Sequence, residues 1–301
     1  MTILHPTGHA AATPDKPACI IPATGEPLTY AALDARADQG AQLFRTLGLQ
    51  RGDVVAVMLD NALEIFEIAW ATQRAGLYLI CIPTGSSASD LAHVLCDSDA
   101  RLLIASRAHQ AVATVALPAS QARGFLVAGA SGDFANWREA RAAMPTGPIP
   151  DPSPGTDMHY AWDTGGRPTR VKPPLPDGAI DAPTPLTAMG QDHYAMGPDT
   201  RYLSTSSLDH AEQLAWGMTV HRLGGTVIVM AQFDAERAFG LIETHAITHA
   251  TWGSTDFVRM LKLPDAVRAR YRHDALRTVI HATAPCPLAV DQMTAGCILA
   301  F

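Results

Sequence analysis

Residues 54 to 82 read VVAVMLDNALEIFEIAWATQRAGLYLICI, and this stretch decides the fold class. Its two ends are short apolar runs of the kind that form buried strands. Between them, apolar residues recur at helical spacing from Ile65 to Thr72, with Asn61 as the expected N-cap and Gly76 as the expected end. The stretch therefore predicts a strand, a helix and a second strand, with the two strands parallel in one sheet.

The same alternation continues on both sides of this unit. Upstream, Thr29 caps a predicted helix that runs to about Leu47. Downstream, helical and strand-like segments alternate until a Pro-rich stretch at 173 to 198, and then resume. The sequence therefore predicts an α/β fold with two lobes of largely parallel sheet flanked by helices. We expect the first lobe to cover residues 1–185 and the second to cover residues 186–301.

Composition argues against several classes of function. A net charge of -7 at pH 7, with scattered basic residues, offers no positive surface to a nucleic acid. The first residues, MTILHPTGHAAATPDKP, lack the basic start and the apolar run of a secretion signal. Apolar runs such as TVIVM at 226 to 230 are far shorter than the roughly 20 residues that span a bilayer. We therefore expect a cytoplasmic protein without a membrane span.

Cysteine spacing argues against a metal or redox site. The five cysteines lack the close pairs that zinc sites and redox motifs require, so buried reduced thiols are expected. His5 and His9, and likewise His245 and His249, have i, i+4 spacing. The first pair lies in a Pro- and Gly-containing tail and the second straddles a predicted helix end. No metal site is therefore predicted.

A glycine-containing turn follows a later apolar strand. In YAWDTGGRPTRV at 160 to 171, the turn includes Thr164, Gly165, Gly166 and Arg167. Glycines let backbone N–H groups approach an anion closely, the threonine hydroxyl adds a donor, and the arginine supplies positive charge. These four residues are therefore candidates for binding phosphate. An ordinary exposed turn is the alternative that the motif alone leaves open.

This turn resembles the signature loop of the adenylate-forming, AMP-binding superfamily, which includes acyl-CoA synthetases (fatty-acid–CoA ligases), luciferases and peptide-synthetase adenylation domains. The family pattern, Ser/Thr-Ser-Gly-Thr-Thr-Gly-x-Pro-Lys-Gly, is matched at Thr164, Gly166 and Pro168. Asp163 stands in place of a glycine, and Thr169 in place of the lysine. The loop is thus a degenerate form of the signature, and we expect ATP to bind weakly.

Other segments extend the resemblance over essentially the whole chain. LTYAALDARADQGAQLFRTLGLQRGDVVAVMLDNALEIFEIAWATQRAGL at 28 to 77 resembles the opening of the family. SLDHAEQLAWGMTVHRLGGTVIVM at 207 to 230 resembles the segment that begins Pro-Leu-Tyr-His, which implies that His210 is the catalytic histidine near the acyl pocket. A helix-start histidine with local hydrogen bonds is the alternative for His210.

A segment near the end of the chain resembles the loop that contacts adenine. The segment is IHATAPCP at 280 to 287. The resemblance implies that Ala282, Thr283, Ala284 and Pro285 bind the nucleotide. An ordinary turn at a strand end is the alternative.

The resemblance implies a two-step reaction that uses ATP, Mg²⁺ and coenzyme A. A fatty or aryl carboxylate attacks the α-phosphate of ATP, and coenzyme A then displaces AMP from the acyl-adenylate. The last residues, GCILAF at 296 to 301, resemble the approach to the Tyr-Gly-x-Thr-Glu motif, whose glutamate holds Mg²⁺.

We therefore expect a truncated amino-terminal part of such a ligase, without the carboxyl-terminal domain and inactive or incomplete by itself. An unpaired strand at Cys297 to Phe301 makes self-association a further expectation. A non-catalytic remnant that binds a nucleotide, an acyl ligand or a protein is the alternative function. A fragment of a larger gene is a third interpretation.

Overall fold

The computed structural model describes residues 4–23, 25–161 and 168–281. The helices in this part of the chain are α1 (Pro6–Ala12), α2 (Tyr30–Thr46), α3 (Glu64–Arg74), α4 (Ala88–Asp97), α5 (Gln110–Ala116), α6 (Trp137–Ala142), α7 (Pro185–Asp192), α8 (Ala211–Arg222), α9 (Ala235–Thr244), α10 (Ser254–Leu261) and α11 (Asp265–Arg268). The strands are β1 (Pro17–Ile20), β2 (Leu28–Thr29), β3 (Val54–Met58), β4 (Tyr78–Cys81), β5 (Ala100–Ala105), β6 (Arg123–Leu126), β7 (Phe134–Asn136), β8 (Thr156–Asp157), β9 (His159–Ala161), β10 (Thr169–Val171), β11 (Arg201–Ser204), β12 (Thr226–Val229), β13 (His249–Trp252) and β14 (Thr278–His281). None of the described helices is long and apolar enough to cross a membrane.

The first sheet has the strand order β7-β6-β5-β3-β4-β8, and its neighbouring strands are parallel. Its central strand β3 is buried on both faces. Val55 and Val57 pack in the apolar cluster that includes α2 and α3, whereas Val54, Ala56 and Met58 pack in the cluster that includes α4. Burial on both faces explains why this strand is a continuous apolar run in the sequence.

The second sheet has the strand order β14-β13-β11-β12-β1-β2, and only the edge pair β1 and β2 is antiparallel. The predicted α/β fold with two largely parallel sheets is therefore confirmed. Strands β1 and β2 precede residue 30 but belong to this second sheet, so strand pairing crosses the division expected at residue 185. That division stays a prediction.

Helices α3 and α8 lie between the two sheets and pack against each other. The indole N–H of Trp70 on α3 donates to Nδ1 of His221 on α8 at 3.2 Å, and Nε2 of His221 bonds the carbonyl oxygen of Ala18 at 3.0 Å. Gly217 on α8 leaves room for the ring of Phe66, since a Cβ there would lie 2.7 Å from a ring carbon. Burial lowers the pKa of His221 to about 3, so its imidazole is a neutral structural group.

The carboxyl ends of strands from both sheets meet at one place. Asn61 follows β3, donates from Nδ2 to the carbonyl oxygen of Met230 at 2.7 Å, and accepts from the backbone N–H of Leu208 at 2.8 Å. The expectation that Asn61 caps the following helix is wrong, because α3 begins only at Glu64. The side-chain amide of Asn61 instead forms hydrogen bonds with residues that follow strands of the second sheet. This contact aligns the end of β3 with the ends of β11 and β12.

Candidate functional site

His210 precedes α8 at the junction of the two sheets. Its side chain is 67% exposed and makes no capping hydrogen bond to the helix. It lines two cavities, one of about 240 Å³, here called the Asp209 cavity, and one of about 500 Å³, here called the Trp252 cavity. His210 is thus the N-cap residue of α8 without a side-chain hydrogen bond to the helix, and its catalytic role stays a prediction.

The Asp209 cavity lies where β4 ends, beside β9 and the start of α8. Asp209 is only 8% exposed, and its Oδ2 accepts hydrogen bonds from the backbone N–H of Thr84 at 2.9 Å and from the Thr84 hydroxyl at 3.2 Å. Its Oδ1 lies 3.9 Å from Nε2 of His210. Cys81 also lines this cavity, and burial raises the pKa of its thiol well above the ordinary value, so it is not an activated nucleophile.

The Trp252 cavity lies where β11 and β13 end. Gly253, which follows β13, donates its backbone N–H to Oδ2 of Asp256 at 3.2 Å, and burial raises the pKa of the Asp256 carboxyl. On the opposite side of the cavity, Gln213 on α8 accepts a hydrogen bond from the Ser204 hydroxyl at 3.1 Å. This bond holds α8 against β11. The cavity thus has walls from both the sheet edge and α8, and His210 stands at its border with the Asp209 cavity.

Strand β14 ends at this same edge of the second sheet. His281 is its last residue; its Nε2 bonds the Ser254 hydroxyl at 3.2 Å, and its ring stacks on Phe257 with centroids 5.7 Å apart. The predicted adenine-binding residues come next in the chain and lie outside the described residues. They are Ala282, Thr283, Ala284 and Pro285.

Strands β9 and β10 form an antiparallel hairpin that flanks the predicted phosphate loop. The hairpin is tied to the end of α4, because the Tyr160 hydroxyl donates to Oδ2 of Asp97 at 2.7 Å and Arg170 bonds the Asp97 carbonyl oxygen. Lys172 lies over the ring of Tyr78, 4.6 Å from its centroid. Arg170 and Lys172 therefore have partners within the fold.

The predicted phosphate-binding residues themselves lie between these two strands in the sequence and outside the described residues. They are Thr164, Gly165, Gly166 and Arg167. Their role in binding phosphate, and the effect of Asp163 on ATP affinity, stay predictions.

Strand β8 brings a carboxyl group into a third, small cavity. Asp157 pairs with Leu79 of β4, and its side chain faces a space of about 150 Å³ beside Thr219 and Arg222 of α8. Burial raises the pKa of the Asp157 carboxyl from 3.8 to about 6. The folded protein therefore keeps this carboxyl protonated up to a higher pH than the unfolded chain does.

We expect Asp157→Asn to stabilise the protein by about 2 kcal/mol near pH 8, because a shift of one pKa unit corresponds to about 1.4 kcal/mol and part of the effect is screened. An acid with a raised folded-state pKa destabilises the fold as it ionises. The gain should therefore vanish as the pH falls from about 6 towards 4. Urea unfolding at several pH values measures it, with exposed Asp177→Asn as the control. A gain that does not depend on pH would contradict the assignment.

A larger cavity lies elsewhere in the described part of the chain. It has a volume of about 640 Å³ and lies between α1, α2 and the segment at 146 to 149. Its floor is occupied by the buried ion pair of Arg74 with Asp34 and Asp38. No strand of either sheet ends at this cavity, so it is not the site that the fold predicts. Within residues 4–23, 25–161 and 168–281, no group of three or more His, Cys, Asp or Glu side chains could hold a metal ion.

Asp209 is the site residue that sequence reasoning missed. The resemblance implicates His210 and not the side chain beside it. The available signal was an aspartate at the position where the family segment has a tyrosine.

Comparison with known proteins agrees with this architecture. The family model described as "AMP-binding enzyme" matches residues 7–168. Salicyl-AMP ligase / salicyl-S-ArCP synthetase of Mycobacterium tuberculosis is 29% identical over 73% of this chain and 40% of its own length. A fatty acid–[acyl-carrier-protein] ligase of Streptomyces coeruleorubidus is 26% identical over 80% of this chain and 46% of its own length.

Solved structures show the same fold. The anthranilate CoA ligase AuaEII, in complex with anthranoyl-AMP, matches 99% of this chain and 58% of its own chain, with a TM-score of 0.82 and 16% identity. The chain spans less than half the length of the two curated relatives above. The family model covers more than half of the chain, and the resemblance seen in its sequence is confirmed. The chain belongs to the AMP-binding enzyme family of adenylate-forming ligases.

Proposed function

We propose that this chain is the acid- and adenosine-binding part of an acyl-CoA synthetase. The observation that carries the proposal is the position of His210 between two cavities at the carboxyl ends of strands from both sheets. In open α/β sheets, ligands bind in the crevice outside these strand ends. The relatives named above act on salicylate and on fatty acids, which supports a carboxylic acid as the substrate.

The proposed reaction joins the acid to AMP and then to a thiol. A carboxylate oxygen of the acid bonds to the α-phosphorus of ATP while the bond to pyrophosphate breaks. The sulfur of coenzyme A then bonds to the acyl carbon while the bond to AMP breaks. In this proposal, the Trp252 cavity holds the acid, and His210 lies beside its carboxylate. Mg²⁺ would offset phosphate charge when bound, but the described residues offer no ligand set for it.

We expect His210→Ala to weaken binding of a non-hydrolysable acyl-sulfamoyl adenosine by at least about tenfold, which corresponds to about 1.4 kcal/mol. The side chain is mostly exposed and makes no capping hydrogen bond to α8, so its removal should leave the melting temperature unchanged. Calorimetric titration with benzoyl and palmitoyl analogues measures the affinity. These analogues lack the triphosphate, so the result does not depend on the degenerate phosphate loop.

His193→Ala is the matched control, because His193 is also exposed and lines neither cavity. This variant should bind the analogues as the unmodified chain does. Equal affinity of the His210 and His193 variants for the analogues would show that His210 does not contribute to the binding site. Failure of every analogue to bind would contradict the proposed function.

A further inference from the structure

His210 lies in a turn whose position is set by other parts of the chain. The turn covers residues 207–210, and the backbone N–H of His210 donates to the carbonyl oxygen of Ser207 at 3.2 Å. The imidazole is mostly exposed and makes no capping hydrogen bond, and the carboxylate beside it, Asp209, belongs to the same turn. The position of the imidazole therefore depends on the residues that hold this turn.

Asn61 reaches the turn from the end of β3. Its Oδ1 accepts from the backbone N–H of Leu208 at 2.8 Å, and its Nδ2 donates to the carbonyl oxygen of Met230 at 2.7 Å. Leu208 is fully buried, and Met230 directly follows β12, the neighbour of β11. An amide carries a donor and an acceptor on one rigid planar group. One side chain of the first lobe thus bonds both the His210 turn and the end of an adjacent strand.

A second attachment holds the next residue of the same turn. The backbone N–H and the hydroxyl of Thr84, which lies beyond the end of β4, donate to Oδ2 of Asp209. Residues 208 and 209, directly before His210, are therefore both held by the first lobe. Since the Thr84 attachment does not involve Asn61, we expect the turn to stay folded when the Asn61 bonds are removed. Only the position of the turn should change.

We propose that Asn61 is a positioning residue for His210. Asn61 lines neither the Asp209 cavity nor the Trp252 cavity; it fixes the backbone of Leu208, and through the turn it sets where the imidazole stands between the two cavities. The inference rests on the function proposed above, because the position of His210 matters for binding only if His210 contacts the acid. Loss of Asn61 should therefore weaken binding by no more than loss of His210 does.

The test is calorimetric titration of Asn61→Leu with the acyl-sulfamoyl adenosine analogues. Leucine has a similar shape and removes both hydrogen bonds. We expect binding to weaken by about fivefold, in the range of one lost hydrogen bond. In the His210→Ala background, the same substitution should cause no further loss, because the group through which Asn61 acts is then absent. A purely structural role of Asn61 would instead weaken binding in both backgrounds.

Two further variants separate positioning from stability. Asn136→Ala is the matched control, because Asn136 caps α6 by accepting from the backbone N–H of Glu139 and lines neither cavity. Its loss should lower the melting temperature, as loss of a helix cap does, without weakening analogue binding. Asn61→Asp is the conservative variant. Its carboxylate still accepts from Leu208 but cannot donate to Met230, so binding should weaken less than in Asn61→Leu.

Hydrogen–deuterium exchange without ligand shows separately whether Asn61 holds the turn. Asn61→Leu should speed exchange in residues 206–210 and leave α9 unchanged. Unchanged analogue affinity in Asn61→Leu, or an equal further loss in the His210→Ala background, would overturn the proposal. Failure of the unmodified chain to bind any analogue would contradict the proposed function instead. Unchanged exchange in residues 206–210 of Asn61→Leu would overturn the inference whether or not the analogues bind.

Discussion

Gly155→Ala should destabilise the protein by about 4 kcal/mol and displace the hairpin that flanks the predicted phosphate loop. A Cβ at Gly155 would lie 2.6 Å from the carbonyl oxygen of Thr72 and closer still to that of Leu77. Both are backbone atoms that cannot rotate away, so β8 would have to move. Overpacking costs about 1 to 3 kcal/mol. The hydrogen bonds that join β8 to β4, such as Thr156 N–H to Leu77 O at 3.1 Å, would weaken as well.

Urea unfolding measures the loss of stability, and Gly147→Ala is the matched control. Gly147 lies in the same stretch of chain before β8, and no atom lies within 4 Å of a Cβ built on it. Its replacement should change the free energy of unfolding by less than about 0.5 kcal/mol. If Gly155→Ala were as mild as the control, β8 would not be fixed against β4 as the structure shows.

Glu67→Gln should destabilise the protein by about 3 kcal/mol. Glu67 on α3 is 1% exposed, and its two carboxylate oxygens accept from Arg36 at 2.8 Å and from Arg141 at 2.6 Å. Arg141 is itself buried on α6, so the neutral amide would remove the strongest attraction on its charge and leave only the weaker one from Glu64. Breaking a buried ion pair by removing one partner costs roughly 3 to 5 kcal/mol. Glutamine retains the shape of the glutamate side chain and some of its hydrogen bonds. We therefore expect a loss of stability at the lower end of this range.

Glu64→Gln on the same helix is the control. Glu64 pairs with Arg138, whose side chain is 54% exposed, so solvent screens the charge that remains. The loss should be about 1 kcal/mol or less. Equal losses in the two variants, measured by urea unfolding, would mean that burial does not strengthen the Glu67 contacts.

Sequence periodicity predicted the parallel sheets because buried strands and amphipathic helices have different repeats. It did not predict partners that are far apart in the chain. Asparagine is a common helix-capping residue, but the side-chain amide of Asn61 instead forms hydrogen bonds with Leu208 and Met230. These residues follow it by 147 and 169 positions in the chain. Strand β1 likewise pairs with β12, some 200 residues later. Such contacts depend on tertiary packing, and no local pattern encodes them.

The resemblance implied a catalytic histidine at His210, and that role stays a prediction. In the structure His210 borders two cavities, and the buried carboxylate beside it is Asp209. Its burial follows from Thr84, which is 125 residues earlier in the chain and donates both hydrogen bonds to it. Burial of a charged side chain cannot be inferred from sequence when its partners come from another lobe. The phosphate and adenine segments stay predictions.

Hydrogen–deuterium exchange with an acyl-sulfamoyl adenosine bound tests the central claim most directly. If the ligand site lies where the two sheets meet, bound analogue should slow backbone exchange in residues 82–86, 205–213 and 252–256. The segment at 146–149, beside the larger cavity between α1 and α2, should exchange at an unchanged rate. Slowed exchange confined to that segment and to α1, with no change at His210, would contradict the account.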